Sequence, residues 1–278
     1  GKWMDGWETR RRRGGGHDMA IVKLAAAGRI AGFDIDTSHF TGNYAPAARI
    51  EACAFSGDRP PEDLPWTDIL PQKPLGPSAH HLFECDSPGL WTHLRIHIYP
   101  DGGIARLRAF GIPAPPEAGG KAGIDLAAAL NGGRILGLSD AHYGDFNRLL
   151  APGRGADMGD GWETRRRREP GHDWMIIALG VRGAIETALI DTAHFKGNFP
   201  DSASLQAADL GDFGDGLTDA IIADSMFWKE LLPPRRLRPD TEHRYRDDLA
   251  GLGPVTHVRF NIFPDGGVSR LRLFGTPA

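Results

Sequence analysis

Glu8 is followed by Thr9 and four consecutive arginines, Arg10, Arg11, Arg12 and Arg13, and the same run returns as Glu163, Thr164, Arg165, Arg166, Arg167 and Arg168. Adjacent guanidinium groups repel one another unless anions compensate them, and a guanidinium suits bidentate capture of a carboxylate. The run therefore has two readings: a solvated or ion-paired strand edge, or an anion anchor. Four residues further on come His17-Asp18 and His172-Asp173, each preceded by glycine. On its own either pair reads as a polar turn, with His and Asp bonding backbone groups. A third segment reads Ile-Asp-Thr-x-His-Phe-x-Gly-Asn and ends in Asn43 and Asn198, with Asp36 and His39 in one copy and Asp191 and His194 in the other. In a strand Phe33, Ile35, Thr37 and His39 share a face, which predicts a buried polar line continuing from an apolar one.

Other motifs have simpler readings. Pro-Asp-Gly-Gly at 100–103 and again at 264–267 is a turn. Beyond it Arg106 and Arg108 share a face opposite Leu107, as Arg270 and Arg272 do opposite Leu271, which fits a polar outer face. The dispersed His, Asp and Glu residues leave a divalent ion open, but no His-x-x-x-His or Cys-x-x-Cys spacing defines a site. No nucleophile elbow, P-loop or dinucleotide fingerprint occurs.

The elements that position these residues come in two copies. Residues 5–43 align without a gap with 160–198 at 23 identities, and 92–113 align with 256–277 at 14. The offset grows from 155 to 164 between the blocks, so the second copy carries nine extra residues between Asn198 and Thr256. A unit this long is a duplicated domain, not a solenoid repeat. We divide the chain into a first repeat at 1–113, a Pro/Gly-rich linker at 114–123 and a second repeat at 124–278. The second copy has a lead before its Asp160 that the first has no room for, so the first repeat is expected to be incomplete at its start.

Short apolar runs predict strands at 20–24, 29–36 and 174–179. The alternating 94–99 should meet 104–110 as a hairpin, repeated across 258–274. Residues 124–130 read as a helix, and a short helix is expected around 219–231. Many short strands with few helices predict an all-β chain of two tandem, homologous jelly-roll β-sandwich domains.

Composition narrows the function classes. A net charge of −4 argues against a general nucleic-acid binder, and no apolar run is long enough to span a bilayer. No apolar leader is visible, and two cysteines, Cys53 and Cys85, cannot build a disulfide framework. A reducing, cytoplasmic location is the simplest expectation.

The duplicated Asp-Gly-Trp-Glu-Thr-Arg-Arg-Arg-Arg, the following Gly-His-Asp, the Ile-Asp-Thr-x-His-Phe-x-Gly-Asn segment and the closing Pro-Asp-Gly-Gly-x-x-Arg-Leu-Arg-x-Phe-Gly together resemble the allantoicase family. The resemblance implies two jelly-roll domains of the galactose-binding-like class. It also implies a hydrolase of linear amidines that cleaves allantoate to ureidoglycolate and urea in purine and allantoin degradation. A homo-oligomer is implied too, and a divalent cation such as Mn²⁺ is associated with some members. On this reading Arg10–Arg13, Arg165–Arg168, Asn43 and Asn198 bind substrate. Glu8, His17, Asp36, His39, Glu163, His172, Asp191 and His194 are the candidates for acid, base or metal ligation. Two other functions stay open at this point: a non-catalytic ligand-binding sandwich, and an oligomeric scaffold using the arginine runs as an interface.

Overall fold

The computed structural model describes residues 5–115, 122–211 and 218–278. It contains two compact units, residues 1–114 and 115–278. Of the expected linker, residues 116–121 lie outside the described residues.

The first unit is built from β1 (Trp7–Glu8), β2 (Asp18–Asp36), β3 (Ala47–Cys53), β4 (Thr67–Pro74), β5 (His80–Glu84), β6 (Trp91–Tyr99), β7 (Gly103–Ile104) and β8 (Arg106–Pro113). Its organising element is β2, one 19-residue strand where the sequence predicts two. The register slips between Lys23 and Gly28. Before the slip β2 pairs with β6, in a sheet ordered β4-β3-β6-β2; after it β2 pairs with β5 and β8. Residues 25–27 are all alanine, with no Pro or Gly turn signal, so the strand runs through the irregularity without stopping and both halves stay in one six-stranded sheet. Ile30, Phe33, Ile35, Ile50, Leu70, Leu94, Ile96 and Ile98 form the core of this unit. This alternation along β6 turns His93, Arg95 and His97 to the opposite, outer face.

The expected hairpin of residues 94–110 does not form. Gly103 and Ile104 pair with β1, and β8 pairs with the far half of β2. The Pro-Asp-Gly-Gly segment is thus a crossover between sheets, not a hairpin turn. Gly102 is required there: its φ is 130°, and a Cβ would lie 2.6 Å from the Tyr44 carbonyl oxygen.

The second unit repeats this plan with β9 (Ile124–Asp125), β10 (Arg134–Leu138), β11 (Trp162–Glu163), β12 (Asp173–Asp191), β13 (Ser202–Ala208), α1 (Thr218–Asp224), β14 (Lys229–Arg236), β15 (Glu242–Tyr245), β16 (Pro254–Phe263), β17 (Gly267–Val268) and β18 (Arg270–Pro277). β12 is again 19 residues long, pairing first with β16 and β10, then with β15 and β18. Trp162, Met175, Ile177, Leu205, Phe260, Ile262, Leu271 and Leu273 form its core. Residues 124–130 are not a helix: β9 and a 3₁₀ turn at Ala129–Asn131 replace it. The fully buried Leu126 is held by its backbone N–H to Leu273 O, so tertiary pairing overrides helix propensity.

The extra residues of the second copy build α1 and a 3₁₀ turn, Ser225–Phe227. Ile221 of α1 and Trp228 pack on Ile176, on the outer face of β12. Part of the outer sheet surface is therefore roofed in the second unit. The first unit has no helix among its described residues. Among the described residues no helix is long and apolar enough to cross a membrane. Both cysteines are buried and free.

Candidate active site

Three of the duplicated motifs meet at one end of each sandwich. Glu8 pairs with Gly103 and Glu163 with Gly267, so the strand carrying the carboxylate lies on the crossover segment. The backbone N–H of Arg12 donates to Asp101 Oδ2 at 2.6 Å, and that of Arg167 to Asp265 Oδ2 at 2.8 Å. The Asp of Pro-Asp-Gly-Gly thereby fixes the path of each arginine run. Gly103 N donates to Asn43 O and Gly267 N to Asn198 O, which brings in the Gly-Asn loop. Asn43 Nδ2 then donates to Glu8 Oε1 at 2.6 Å, and Asn198 Nδ2 to Glu163 Oε1 at 2.5 Å. Each unit thus presents a carboxylate oriented by an amide beside a row of guanidinium groups.

In the second unit these groups line a cavity of about 530 Å³ with Thr164, Arg165, Arg166, Arg167, Asn198, Phe199 and Asp265. His142 and Tyr143 form another wall, their rings in edge contact at 4.3 Å. In the first unit Trp7, Thr9, Arg10, Arg11, Arg12 and Asp18 line a cavity of about 440 Å³.

The arginines are not equivalent. The third of each run is tied down: Arg12 to Asp18, and Arg167 to Asp173 at 2.5 Å. The bond to Arg12 holds the Asp18 carboxyl below its usual range, and the bond to Asp173 raises Arg167. This explains the Asp of the Gly-His-Asp motif. Arg10, Arg11, Arg13, Arg166 and Arg168 are exposed. No side-chain ion pair joins these five to the protein among the described residues, so they remain able to meet an external anion.

His17 and His172 lean inward from the same motif. His17 Nε2 lies 2.8 Å from His97 Nδ1, and His172 Nε2 lies 3.1 Å from Asn261 Oδ1. Burial lowers the pKa of His172, its bond to Asn261 offsetting part of the effect.

Asp36, His39, Asp191 and His194 are grouped elsewhere. Asp36 Oδ1 accepts from Ser38 N and Asp191 Oδ1 from Ala193 N, so each aspartate caps a turn. Burial raises the pKa of Asp36, but the bonds from Ser38 outweigh it and the net shift is downward. Thr37 is buried as the face pattern predicts, but His39 is not. The chain leaves the strand at Thr37 and places His39 at φ 71°, exposed. His194 adopts φ 70° and bonds to Gly155 O. Asp36 and His39 line a separate cavity with Asp5, Arg106 and Arg108, which shares no residue with the one beside Arg10 and Arg11.

A divalent ion needs several converging His, Asp or Glu donors. Among the described residues no three such groups converge. The described residues thus offer no donor set that fits a metal, and no step is assigned to one.

Sequence reading missed His142, Tyr143 and Asp140, whose carboxylate accepts from Arg165 N. They lie in the lead of the second copy, for which this chain has no aligned first-copy partner, so no repeat signal marks them. It also missed Glu51 and His97 behind His17. There a signal existed, because the aligned second-copy residues are Gln206 and Asn261.

The family model described as the allantoicase repeat matches residues 1–114 and 124–278. A probable allantoicase of Rhizobium meliloti is 59% identical over 280 residues, spanning 100% of this chain and 82% of that protein. One of Pseudomonas aeruginosa is 55% identical, spanning 100% and 83%. The crystal structure of allantoicase from Saccharomyces cerevisiae superposes with a TM-score of 0.79 at 40% identity, over 98% of this chain and 81% of that one.

Proposed function

The chain belongs to the allantoicase family, and on that premise we propose that the Glu–Asn–Arg end of its sandwiches is where it hydrolyses allantoate to ureidoglycolate and urea. Allantoate carries one carboxylate and two ureido groups on a single tetrahedral carbon. Hydrolysis breaks one carbon–nitrogen bond and forms a carbon–oxygen bond from water. The leaving nitrogen gains a proton and the attacking water loses one.

The exposed arginines, Arg10, Arg11 and Arg13 with Arg166 and Arg168, take the substrate carboxylate. Asn43 and Asn198 each hold one oxygen of Glu8 and Glu163 and leave the other without a side-chain partner among the described residues. That second oxygen serves as acid or base at the reacting carbon. The observation that carries this reading is the clamped carboxylate beside unpaired guanidinium groups, present in both units and built from the motifs that recur letter for letter.

The same reading includes assembly as a homo-oligomer in the cytoplasm. Met226 and Phe227, two adjacent large apolar side chains exposed on the 3₁₀ turn, support assembly. The test is urea release from allantoate by the purified protein, with sedimentation of the same sample. Loss of urea release on replacing both glutamates by glutamine is expected. A folded double variant with wild-type turnover would move the site elsewhere.

A further inference from the structure

The two units differ behind His17 and His172. In the first unit His97 Nε2 lies 2.8 Å from Glu51 Oε2. Arg95 Nε also donates to that oxygen, and Arg49 Nη2 donates to Oε1 at 2.7 Å. Arg49 is further tied to Asp68 of β4, and Arg95 lies 4.4 Å over the Trp66 ring. Burial pushes the Glu51 pKa up, but the bonds from His97 and Arg95 and the charge of Arg49 prevail, and it is lowered. Glu51 is therefore a carboxylate, which can only accept.

This fixes both rings. His97 donates from Nε2, so its Nδ1 carries a lone pair, burial having lowered its pKa. His17 must then donate from Nε2 to His97 Nδ1, leaving its own Nδ1 as the basic nitrogen. Among the described residues Nδ1 of His17 has no hydrogen-bond partner. The His17 ring also rests on Tyr99 at 4.5 Å, and the next residue, Asp18, is bound to Arg12 and lines the cavity.

In the second unit every ionisable member of this chain but one arginine is replaced. Glu51, His97, Arg49 and Tyr99 correspond to Gln206, Asn261, Ser204 and Phe263, while Arg95 remains as Arg259. Asn261 Oδ1 faces His172 and accepts from Arg259 Nε, and Asn261 Nδ2 donates to Ser204 and Gln206. Asp173 is committed to Arg167. A proton added to His172 would meet the Arg259 cation and no carboxylate at the end of the chain.

We propose that His17 is a second proton-transfer group beside Glu8, with Glu51 and His97 as its positioning residues, and that His172 is a proton-silent copy. This rests on placing the reaction beside the arginine runs. His17 Nδ1 takes the proton of the attacking water while the Glu8 carboxyl gives one to the departing ureido nitrogen, and exchange with solvent resets both groups. Glu51 and His97 keep their own protonation states and stabilise the imidazolium through hydrogen bonds. The unit lacking the relay keeps its Glu163–Asn198 clamp but has no such histidine base.

The test uses Glu51→Gln and His97→Asn, which install the second unit's own residues. Ring titrations of the full chain are followed by NMR, alongside the pH dependence of urea release. We expect the ring signals of His17 to change in either variant while those of His172 stay put. At neutral pH kcat should drop at least about tenfold with the KM for allantoate nearly unchanged, and the acid limb of the kcat profile should move with the His17 ring. If Glu51→Gln does not fold, Arg49→Ser/Glu51→Gln/His97→Asn installs the second unit's Ser, Gln and Asn together. An unmoved His17 titration in a folded variant overturns the relay. A moved titration with an unmoved acid limb overturns the role in proton transfer. Absence of urea from the wild-type protein would instead sink the assigned reaction, with the ring titration still deciding the relay.

Discussion

Replacing single arginines separates the two readings of the run. Arg167 Nη2 bonds to Asp173, whose side chain is only 1% exposed and whose other described side-chain partner is the Ser139 hydroxyl. Arg167→Gln strands a buried carboxylate, which costs about 3 kcal/mol, at the low end for a broken buried pair because Arg167 is itself a quarter exposed. For a unit of this size that is roughly 6–12 °C in Tm. Its backbone anchor to Asp265 is untouched, so the path of the run persists. Arg166 has no such partner, and Arg166→Gln should move Tm by less than about 2 °C. It should instead remove one charge-assisted contact to the substrate carboxylate, on the order of 1.5–3 kcal/mol, or roughly 10- to 100-fold in kcat/KM. The aligned Arg11→Gln is made in the same chain so that an intact first copy cannot mask the loss. Calorimetric melting and steady-state urea release read both effects. Arg167→Gln melting with the wild type, or Arg11→Gln/Arg166→Gln keeping full kcat/KM, would refute the division of labour.

Asn43→Ala/Asn198→Ala frees both glutamates to rotate, and turnover should fall at least about tenfold with the melting temperature nearly unchanged. His39→Gly relieves a left-handed residue on the exposed surface and should raise or preserve Tm; a drop of several degrees would show that the His39 ring is anchored. Burial depresses His97, His172 and His243, and the hydrogen-bonded Glu51 also sits below its usual value. Groups with depressed folded-state pKa values stabilise the fold above their unfolded values and lose that contribution as pH falls through the folded ones. Stability to urea should therefore decline from about pH 6.5 downward and steepen below about 4.5, and a stability that rises on acidification would contradict this.

The duplication was legible because whole motifs recur, and the all-β class because strand-length apolar runs outnumber helical ones. The Glu8–Asn43 and Glu163–Asn198 clamps were present as motif members, but their pairing was not readable. It depends on a crossover between sheets where the local pattern of 94–110 mimics a hairpin. His39 looked like the continuation of a buried line because strand periodicity has no term for a chain that turns at Thr37. The role of the third arginine was hidden for a different reason. Asp18 and Asp173 follow a histidine, and nothing in the spacing distinguishes a carboxylate that serves substrate from one that holds an arginine.

The most direct measurement is urea release from allantoate by the wild-type protein and by Glu8→Gln/Glu163→Gln, with melting curves on both. The account predicts one urea per allantoate consumed by the wild type. It predicts turnover reduced by roughly 10²–10⁴-fold in a variant that melts normally. A normally folded double variant that releases urea at the wild-type rate would contradict it.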